Sequence, residues 1–349
     1  MPFKIIRNDI SKVKADAIVN TANPKPCVGS GTDSAVYEAA GIEALLAERR
    51  KIGDITPGQA ISTGAYNLDA KYIIHTVGPV WTDGNHGERD ILRACYQNSL
   101  ALAGKQNCES IAFPLIATGT YGFPKDEALS IALSEIGGFL LTHEMEITLV
   151  VFDRKALKLS EDLVGSIDQY IDEHTVQALR DDEYGTSVPS EYQISQRRFR
   201  KSQNEASRGT FFHDSVTSKM ESPDLSGKAL EEVLGDPGKS FQQKLFELID
   251  ASGMDDVTVY KKANVQRQVF SSIRCKPDYR PKKKTALAFA IALRLDMPTT
   301  IDLLSRAGLA FSPSNKFDLI VRYFIDNKIY DIYKINAALF DYGQPILGS

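Results

Sequence analysis

The feature that most constrains the fold of this chain is the alternation, over its first 150 or so residues, of short apolar runs with helical periodicity. The apolar runs predict strands at residues 3–6, 17–19, 72–75, 110–114 and 147–152, and the periodic segments predict helices at 34–50 and 88–103. Two of the runs, SIAFPLI and ITLVVF, are apolar without alternation, which is typical of strands covered on both faces. The sequence therefore predicts an α/β fold in which helices flank a central sheet.

The α/β pattern ends near residue 179. Residues 180–238 are polar, rich in Ser and Gln and without sustained periodicity, which predicts a flexible linker. From there on the chain shows only helical periodicity, at 241–251, 257–262, 265–274, 285–295 and 299–307, with two further helices rich in Ile, Tyr and Phe after these. We therefore predict three regions: an α/β domain over 1–179, a linker over 180–238 and a small all-α domain over 239–349.

Composition and charge narrow the class of protein. Hydrophobic residues make up 43% of the chain, which is enough for soluble cores, and no apolar run approaches the roughly 18 residues of a membrane span. The start of the chain is too charged for a signal peptide, so a cytoplasmic location is expected. The four cysteines lack the spacing of a zinc site, and no metal or cofactor is expected. The net charge of −4 conceals a basic end, because residues 239–349 hold 17 Lys and Arg against 11 Asp and Glu.

Two glycine-bearing loops lie where a predicted strand leads into a predicted helix. The first carries Gly29 and Gly31, and the second runs from Thr118 to Gly122. Glycine lets the backbone approach a phosphate closely, and a helix N-terminus offers free N–H groups. Two such loops suit a diphosphate. Neither has the glycine spacing of a P-loop or of the standard dinucleotide fold, so those sites are disfavoured.

The residues around these loops resemble the macrodomain family, particularly its MacroD-type ADP-ribosyl hydrolases. The resemblance runs through NDI at 8–10, NTAN at 20–23, the stretch 29–41, IIHTVGP at 73–79 and the whole of 117–124. It covers about residues 1–160. It implies a three-layer α/β/α fold with a mixed sheet, and a site that binds ADP-ribose or an ADP-ribosylated substrate.

The resemblance also implies roles for the matching residues. Asp9 and Ile10 would bind the adenine, Asn23 the distal ribose, and Asp33 matches the carboxylate implicated in hydrolysis. The expected catalytic residues are Asp33, Asn23 and Tyr37. The expected ligand-binding residues are Asp9, Ile10, Asn20, Gly29, Ser30, Gly31, Thr118, Gly119, Thr120, Tyr121, Gly122, Phe123 and Phe152. Tyr121 or Phe123 would also wall the distal ribose.

Two departures from the family pattern leave the chemistry open. Ser30 interrupts the usual run of glycines, and Tyr37 stands where these hydrolases commonly have a histidine. Tyr37 is expected to hydrogen-bond Asp33 one helical turn away, but it does not titrate near neutrality as histidine does. A carboxylate such as Asp33 stabilises the oxocarbenium-like state in which an ADP-ribosyl bond breaks. One hypothesis is therefore a hydrolase that removes ADP-ribose from a protein, nucleic-acid or small-molecule acceptor; the other is a sensor that binds without turnover.

The C-terminal helices resemble a phage-repressor-like helix-turn-helix domain. In that interpretation Gln266 and Arg267, with Asn264, would reach base edges. A basic set would face the phosphates: Arg274, Lys276, Lys282, Lys283 and Lys284, together with Arg280. Bundles of short helices also serve as dimerisation or adaptor modules. DNA binding and binding of a protein partner are both left open.

Overall fold

A computed structural model describes residues 3–152, 159–184 and 238–348, with side chains described as far as residue 175 in the second range. The linker predicted at 180–238 lies almost entirely outside the described residues. Residues 1–171 and 239–349 form one compact unit. None of the described helices combines the length and the apolar character that crossing a membrane requires.

Six strands form a single mixed sheet. They are β1 (Phe3–Arg7), β2 (Ala17–Thr21), β3 (Ala60–Gly64), β4 (Tyr72–Thr76), β5 (Ser110–Pro114) and β6 (Glu146–Val151). Their order across the sheet is β1-β6-β5-β2-β4-β3. All neighbours are parallel except β3, which runs antiparallel to β4. The carboxyl ends of β1, β2, β5 and β6 therefore meet at one edge of the sheet, where the predicted glycine loops begin.

Helices cover both faces of this sheet. They are α1 (Thr32–Ala40), α2 (Ile42–Ile52), α3 (Glu88–Lys105) and α4 (Lys125–Thr142). Successive strand residues point to opposite faces: Ile18 and Ile73 join α1 and α2 in one core, while Val19 and Ile74 join α3 and α4 in the other. The predicted α/β/α layers with a mixed sheet are confirmed.

The structure differs from the sequence prediction at two elements. The helix predicted at 34–50 is two helices, because Gly41 between them has φ +103°, which a helix interior does not allow. Strand β3 has no sequence prediction, since AISTG is short and only weakly apolar. Pairing with β4 makes it a strand, which is a tertiary effect.

After β6 the described chain is entirely helical, in agreement with the predicted all-α region. The helices are α5 (Glu161–Tyr184), α6 (Phe241–Ser252), α7 (Asp256–Lys262), α8 (Arg267–Cys275), α9 (Lys283–Ala292), α10 (Met297–Ser305), α11 (Lys316–Asp326) and α12 (Ile332–Asp341). Most begin at a side-chain N-cap, such as Ser240, Asp255, Asp296, Asn315 and Asp331. The sequence predicted bounds for five of these helices, α6 to α10, and the observed bounds lie within three residues of them.

These helices pack directly on the α/β core. The Tyr333 ring meets Phe3 edge-to-face with the ring centroids 5.5 Å apart, and it fills the space that a side chain at Gly137 would need. The Tyr260 hydroxyl donates to Glu144 at 2.8 Å. The boundaries predicted at 1–179, 180–238 and 239–349 stay a prediction, but the first and last regions share one hydrophobic core.

Asn264 lies where the C-terminal helices contact the α/β core. This position corrects the expectation that Asn264 would reach a base edge. The Asn264 side chain is buried, and its backbone has a φ of +53°. Its Oδ1 accepts from the Phe3 N–H at 2.6 Å, and its Nδ2 donates to the Phe3 carbonyl at 3.0 Å. Asn264 therefore pairs with the free edge of β1 as a neighbouring strand would, and the side chain has nothing left to offer a nucleic acid.

Candidate functional site

The two predicted glycine loops meet over the carboxyl ends of β2 and β5. The first loop leads from β2 to α1, which begins at Thr32 after a Gly31 of φ +64°. The second leads from β5 to α4, with Gly122 at φ +68°. The Ser30 and Thr120 hydroxyls lie 3.3 Å apart and join the loops. In open α/β sheets, ligands bind in the crevice outside the carboxyl ends of the strands, and the two loops border that crevice.

A cavity of about 510 Å³ lies between the two loops. Its lining includes residues of both loops and of the strand ends: Asn23, Gly29, Ser30, Gly31, Asp33, Thr118, Gly119, Thr120, Tyr121, Lys125 and Phe152. The N-terminus of α1 opens onto it through Gly31, Thr32 and Asp33, so backbone N–H groups and the positive end of the helix dipole face the same space. This combination of glycines, N–H groups and a lysine is suited to an anionic ligand.

Asp33 lies in the wall of this cavity and is only 2% exposed. Its Oδ1 accepts from Asn20 Nδ2 and its Oδ2 accepts from the Gly29 N–H, both at 2.6 Å. A Cβ at Gly29 would lie 2.4 Å from Asn23 Nδ2 and 3.1 Å from Asp33 Oδ2, so the backbone can approach both side chains only because residue 29 is glycine. Asp33 is thus held in one orientation beside the Asn23 amide.

A buried polar network supports Asp33 from behind. Asn20 Nδ2 also contacts His75 Nδ1 at 3.2 Å, and His75 Nε2 contacts the Thr63 hydroxyl at 2.9 Å. Burial, with the charge of Arg49 as a smaller cause, lowers the pKa of His75 to about 3. A neutral ring that accepts at Nδ1 donates from Nε2, so His75 stays in one tautomer and fixes Asn20.

Two further groups complete the surroundings of Asp33. Tyr37, one helical turn along α1, is buried. Burial and then the Asp33 charge raise the pKa of Tyr37 to about 12, although Arg49 opposes the rise. Burial raises the pKa of Asp33 above its ordinary value, and the bonds from Asn20 and Gly29 and the charge of Arg49 offset only part of this rise.

The predicted adenine-binding residues line a second hollow of about 410 Å³ that continues the first. Asp9, Ile10 and Phe152 lie in it, and both hollows share Gly31 and Phe152. Asp9 accepts from the Ser11 N–H at 3.0 Å and from its hydroxyl at 2.8 Å, which orients the carboxylate. The Phe152 ring is 77% exposed, an unusual state for a phenylalanine and one that suits stacking on a planar ligand.

Comparison with known proteins agrees with this arrangement. The family model "Macro domain" matches residues 19–132. A macro domain-containing protein of Methanosarcina mazei is 45% identical over 158 residues, which are 45% of this chain and 84% of the relative. The chain belongs to the macrodomain family. An O-acetyl-ADP-ribose deacetylase of Citrobacter rodentium is 42% identical over 46% of this chain and 93% of its own length. A Trypanosoma brucei macrodomain solved in complex with ADP-ribose is 36% identical over 46% of this chain and 68% of that one, with a TM-score of 0.42.

Some predicted site residues of the macrodomain lie behind the cavity. Asn20 is completely buried, and its amide donates to Asp33, which corrects its expected role as a ligand-binding residue. Phe123 is buried against Trp81, with ring centroids 4.6 Å apart, so Tyr121 alone of the two reaches the cavity. Gly122 shapes the turn through a 2.9 Å bond from its N–H to the Gly119 carbonyl. Among the described residues the expected bond between Tyr37 and Asp33 is absent, and the two oxygens of Asp33 accept from Asn20 and the Gly29 N–H instead.

Sequence reasoning missed Lys125 and Arg49. Lys125 is the first residue of α4 and lines the cavity, as the position directly after Pro124 at the end of the glycine loop could have suggested. Arg49 stands in the run Arg49-Arg50-Lys51, which has the appearance of a solvated helix end. The available signal was its spacing, since it follows the buried Leu45 by four residues and so falls on the apolar face of α2.

The residues predicted to contact nucleic acid fall into two groups. In the first, Arg267, Lys276, Arg280 and Lys282 are exposed, and Gln266 and Lys284 are partly buried. Lys283 forms an ion pair with the buried Asp318, and Arg274 pairs with Asp256 at 2.9 Å and lies over the Phe246 ring. This corrects the expectation that Lys283 and Arg274 would face phosphates, because both cations already have carboxylate partners within the protein.

Proposed function

We propose that the macrodomain binds ADP-ribose in this groove and cleaves an ADP-ribosyl bond, releasing ADP-ribose from a protein, nucleic-acid or small-molecule acceptor. The observation that carries the proposal is the placement of Asp33. It is a carboxylate fixed by two 2.6 Å hydrogen bonds in the wall of a cavity built from two glycine loops. Relatives named O-acetyl-ADP-ribose deacetylase support the substrate class.

In the proposed complex the diphosphate lies against the two loops and the N-terminus of α1. The adenine lies in the second hollow beside Asp9 and Phe152, and the distal ribose lies between Asn23 and Tyr121. This order follows the groove, because the two hollows meet at Gly31 and Phe152. Asp33 is then next to the bond that joins the distal ribose to its acceptor.

For a glycosidic acceptor the reaction breaks the bond between C1″ and the acceptor as a water molecule attacks C1″. Asp33 stabilises the positive charge that develops on the ribose and orients the water. The acceptor leaves with the electron pair and takes up a proton, and the substrate diphosphate receives the proton that the water loses. For an O-acetyl ester the water attacks the acetyl carbonyl carbon instead, and the ribose oxygen leaves with the electron pair and is protonated. Tyr37 keeps its proton throughout, because its pKa is raised to about 12.

The test combines calorimetry with product release. Wild type, Asp33→Ala and Asn23→Ala are titrated with ADP-ribose and are assayed on ADP-ribosylated protein, ADP-ribosylated nucleic acid and O-acetyl-ADP-ribose. We expect Asp33→Ala to bind ADP-ribose while release falls by about 100-fold or more. A matched control is Asp69→Asn, an exposed carboxylate whose change is expected to alter neither. Tight binding by wild type with no release from any of the three substrates would eliminate hydrolysis.

That last outcome defines a second candidate, an ADP-ribose sensor. It is favoured by the absence of the usual histidine, since Tyr37 replaces it, and by the protein donors on both Asp33 oxygens. In this case the groove recognises ADP-ribose without turnover. The C-terminal helices would then convey occupancy to DNA or a protein partner.

DNA binding by these helices, as in a helix-turn-helix domain, is supported by the exposed basic residues of the loop before α9. The DNA-binding test uses the full chain, because α7 and α12 pack on the α/β core. Its affinity for duplex DNA should fall steeply between 50 and 200 mM salt, and Lys276→Ala with Lys282→Ala should reduce the salt slope by about two. Lys105→Ala, on the macrodomain surface, is the control. Binding that is absent or insensitive to salt would leave a protein partner as the remaining role.

A further inference from the structure

Trp81 is the only tryptophan of the chain and lies in the loop between β4 and α3. It does not line the cavity between the two glycine loops, although Gly78 of the same loop does. The Trp81 backbone N–H donates to the Tyr121 carbonyl at 2.8 Å. The Trp81 ring meets the buried Phe123 ring edge-to-face, with the centroids 4.6 Å apart. Trp81 therefore contacts the second glycine loop twice without lining the cavity.

The second glycine loop has an irregular backbone that needs support. Ala117 has φ +63°, a conformation that residues with a side chain seldom adopt. Two backbone bonds within the loop run from the Gly122 N–H to the Gly119 carbonyl at 2.9 Å and from the Phe123 N–H to the Ala117 carbonyl at 3.0 Å. Tyr121, which lines the cavity, lies in the same stretch. Such a backbone persists only when the surrounding structure holds it.

Trp81 is itself held by Arg89, in the first turn of α3. The guanidinium lies over the indole ring, 5.3 Å from its centroid. It also donates to both carboxylate oxygens of Glu127, through Nε at 2.8 Å and Nη2 at 3.2 Å. Glu127 is in the first turn of α4, two residues after Lys125, which lines the cavity. Arg89 therefore ties the loop of Trp81 to the helix that follows the second glycine loop.

The loop that carries Trp81 is closed by Glu88. The buried Glu88 carboxylate accepts from the Gly84 N–H at 3.2 Å and from the His86 N–H at 2.7 Å. Gly84 has φ +83°, and a Cβ there would lie 2.7 Å from the Trp81 ring. The ring thus packs directly on the backbone of its own loop, and this packing fixes its position.

We infer that Trp81 is a positioning residue. It holds the second glycine loop, and with it Tyr121, in the conformation that binds the ligand, and Arg89 in turn holds Trp81. The inference rests on the proposed binding of ADP-ribose in the groove. Trp81 does not need to touch the ligand, because it acts through the Tyr121 backbone and the Phe123 ring.

The first test is affinity. Calorimetry of the full chain with ADP-ribose should find binding by Trp81→Ala weakened by about tenfold or more, because the loop loses its support. Trp81→Phe keeps an aromatic contact with Phe123 and should bind within about threefold of wild type. KM should rise more than kcat falls in Trp81→Ala, since the second loop holds the diphosphate, which is not the reacting bond. Equal affinities of wild type and folded Trp81→Ala overturn the inference.

The second test needs no ligand. Amide hydrogen exchange of the full chain should be faster by about tenfold or more at the Gly122 and Phe123 N–H groups in Trp81→Ala. The Ala35 N–H, which donates to the Gly31 carbonyl beside the first loop, should exchange as in wild type. Faster exchange by the same factor at both loops would reveal a general loss of stability and would contradict a positioning role.

The third test examines Arg89 against a matched ion pair. Arg93 also lies on α3, pairs with Asp90 at 3.0 Å and approaches Glu135 of α4 at 3.7 Å. The Arg89→Met variant should shift the Trp81 emission maximum to longer wavelength, because the ring becomes more exposed to water. It should also weaken ADP-ribose binding by about threefold, as expected for the loss of one partly exposed cation–π contact. Arg93→Met should change neither, and an unchanged emission maximum in Arg89→Met contradicts the role of Arg89.

The remaining outcomes are also decisive. Where Trp81→Ala does not fold, Arg89→Met takes its place in the affinity and exchange measurements, and wild-type values in both overturn the inference. Where wild type binds no ADP-ribose, the proposed function fails. Hydrogen exchange at Gly122 and Phe123 still decides whether Trp81 holds the loop.

Discussion

Asp33 in the macrodomain and Asp318 in the C-terminal helices are both buried carboxylates, and they are stabilised in different ways. Asp318 is 0% exposed, forms an ion pair with Lys283 and accepts from the Ser312 N–H at 2.6 Å. Asp33 has two neutral donors and, within the described part of the chain, no ion-pair partner. One carboxylate is neutralised by a direct ion pair, whereas the other is held by hydrogen bonds beside a cavity.

The difference separates a structural carboxylate from one that is available for chemistry. A direct ion pair in the core uses the charge for cohesion of the helices. A carboxylate that is desolvated, oriented by hydrogen bonds and open to a cavity has the features of catalytic groups. Burial by itself is therefore a poor guide, and the position of the counter-ion is the more informative observation.

The largest expected effect comes from breaking the ion pair of the C-terminal helices. Asp318→Ala leaves Lys283 and the Ser312 N–H without their partner, and should cost about 3 kcal/mol of unfolding free energy. Denaturant titration measures this cost, and calorimetry should find the ADP-ribose affinity of the folded variant unchanged. Asp33→Ala should keep its ADP-ribose binding, lose product release and show a smaller stability loss than Asp318→Ala. Equal losses of unfolding free energy in the two variants would contradict the difference between a structural carboxylate at 318 and an available one at 33.

The second largest effect is expected at Asn264, where the C-terminal helices contact β1. Asn264→Ala leaves the Phe3 N–H and carbonyl buried without partners and should cost about 2 kcal/mol. The matched control is Gln266→Ala, two residues away and partly exposed, for which about 0.5 kcal/mol or less is expected. Denaturant titrations of both compare a side chain that pairs with β1 against one that does not. Similar costs would show that Asn264 does not tie the helices to the sheet.

The glycine loop should be sensitive to a single methyl group. Gly29→Ala would place a Cβ 2.4 Å from Asn23 Nδ2, and moving that amide should weaken ADP-ribose binding by about tenfold or more. Gly138→Ala, in α4, meets nothing within 4 Å and should bind as wild type does. Calorimetric titration with ADP-ribose measures the affinity of both variants. Full affinity in Gly29→Ala would mean that the loop tolerates displacement of Asn23.

The smallest effect concerns the neutral histidine behind Asp33. In the unfolded chain His75 takes up a proton below its ordinary pKa of 6.5, whereas the folded chain does so only near 3. The contribution of His75 to the free energy of unfolding is therefore fully present above pH 6.5 and is lost as the pH falls. At pH 5.5 the free energy of unfolding should be lower by about 1.4 kcal/mol. Denaturant titrations from pH 7.5 to 5 should show this slope in wild type but not in His75→Asn. Parallel profiles would mean that His75 is protonated in the folded protein.

Much of the fold and part of the site could be read from the sequence. Strands, helices and glycine loops are local patterns, so the layers were predictable. Asn23 and Asp33, which line the cavity, were predictable from the resemblance to the family. Strand β3 was not, because its conformation depends on pairing with β4. Asn20 and Phe123 belong to recognised motifs, but a motif does not specify which of its side chains faces the cavity.

The sequence by itself determined the alternation that makes the sheet, the glycines that open its carboxyl edge, and the carboxylate at position 33. Only the tertiary structure decided how the charges are arranged. Arg49 and Lys283 look like solvated cations in the sequence, yet Arg49 is buried and donates to the Gly53 carbonyl, and Lys283 is paired with Asp318. The physical reason is that electrostatic interactions depend on distance and burial in three dimensions, and both are set by packing between segments far apart in the chain.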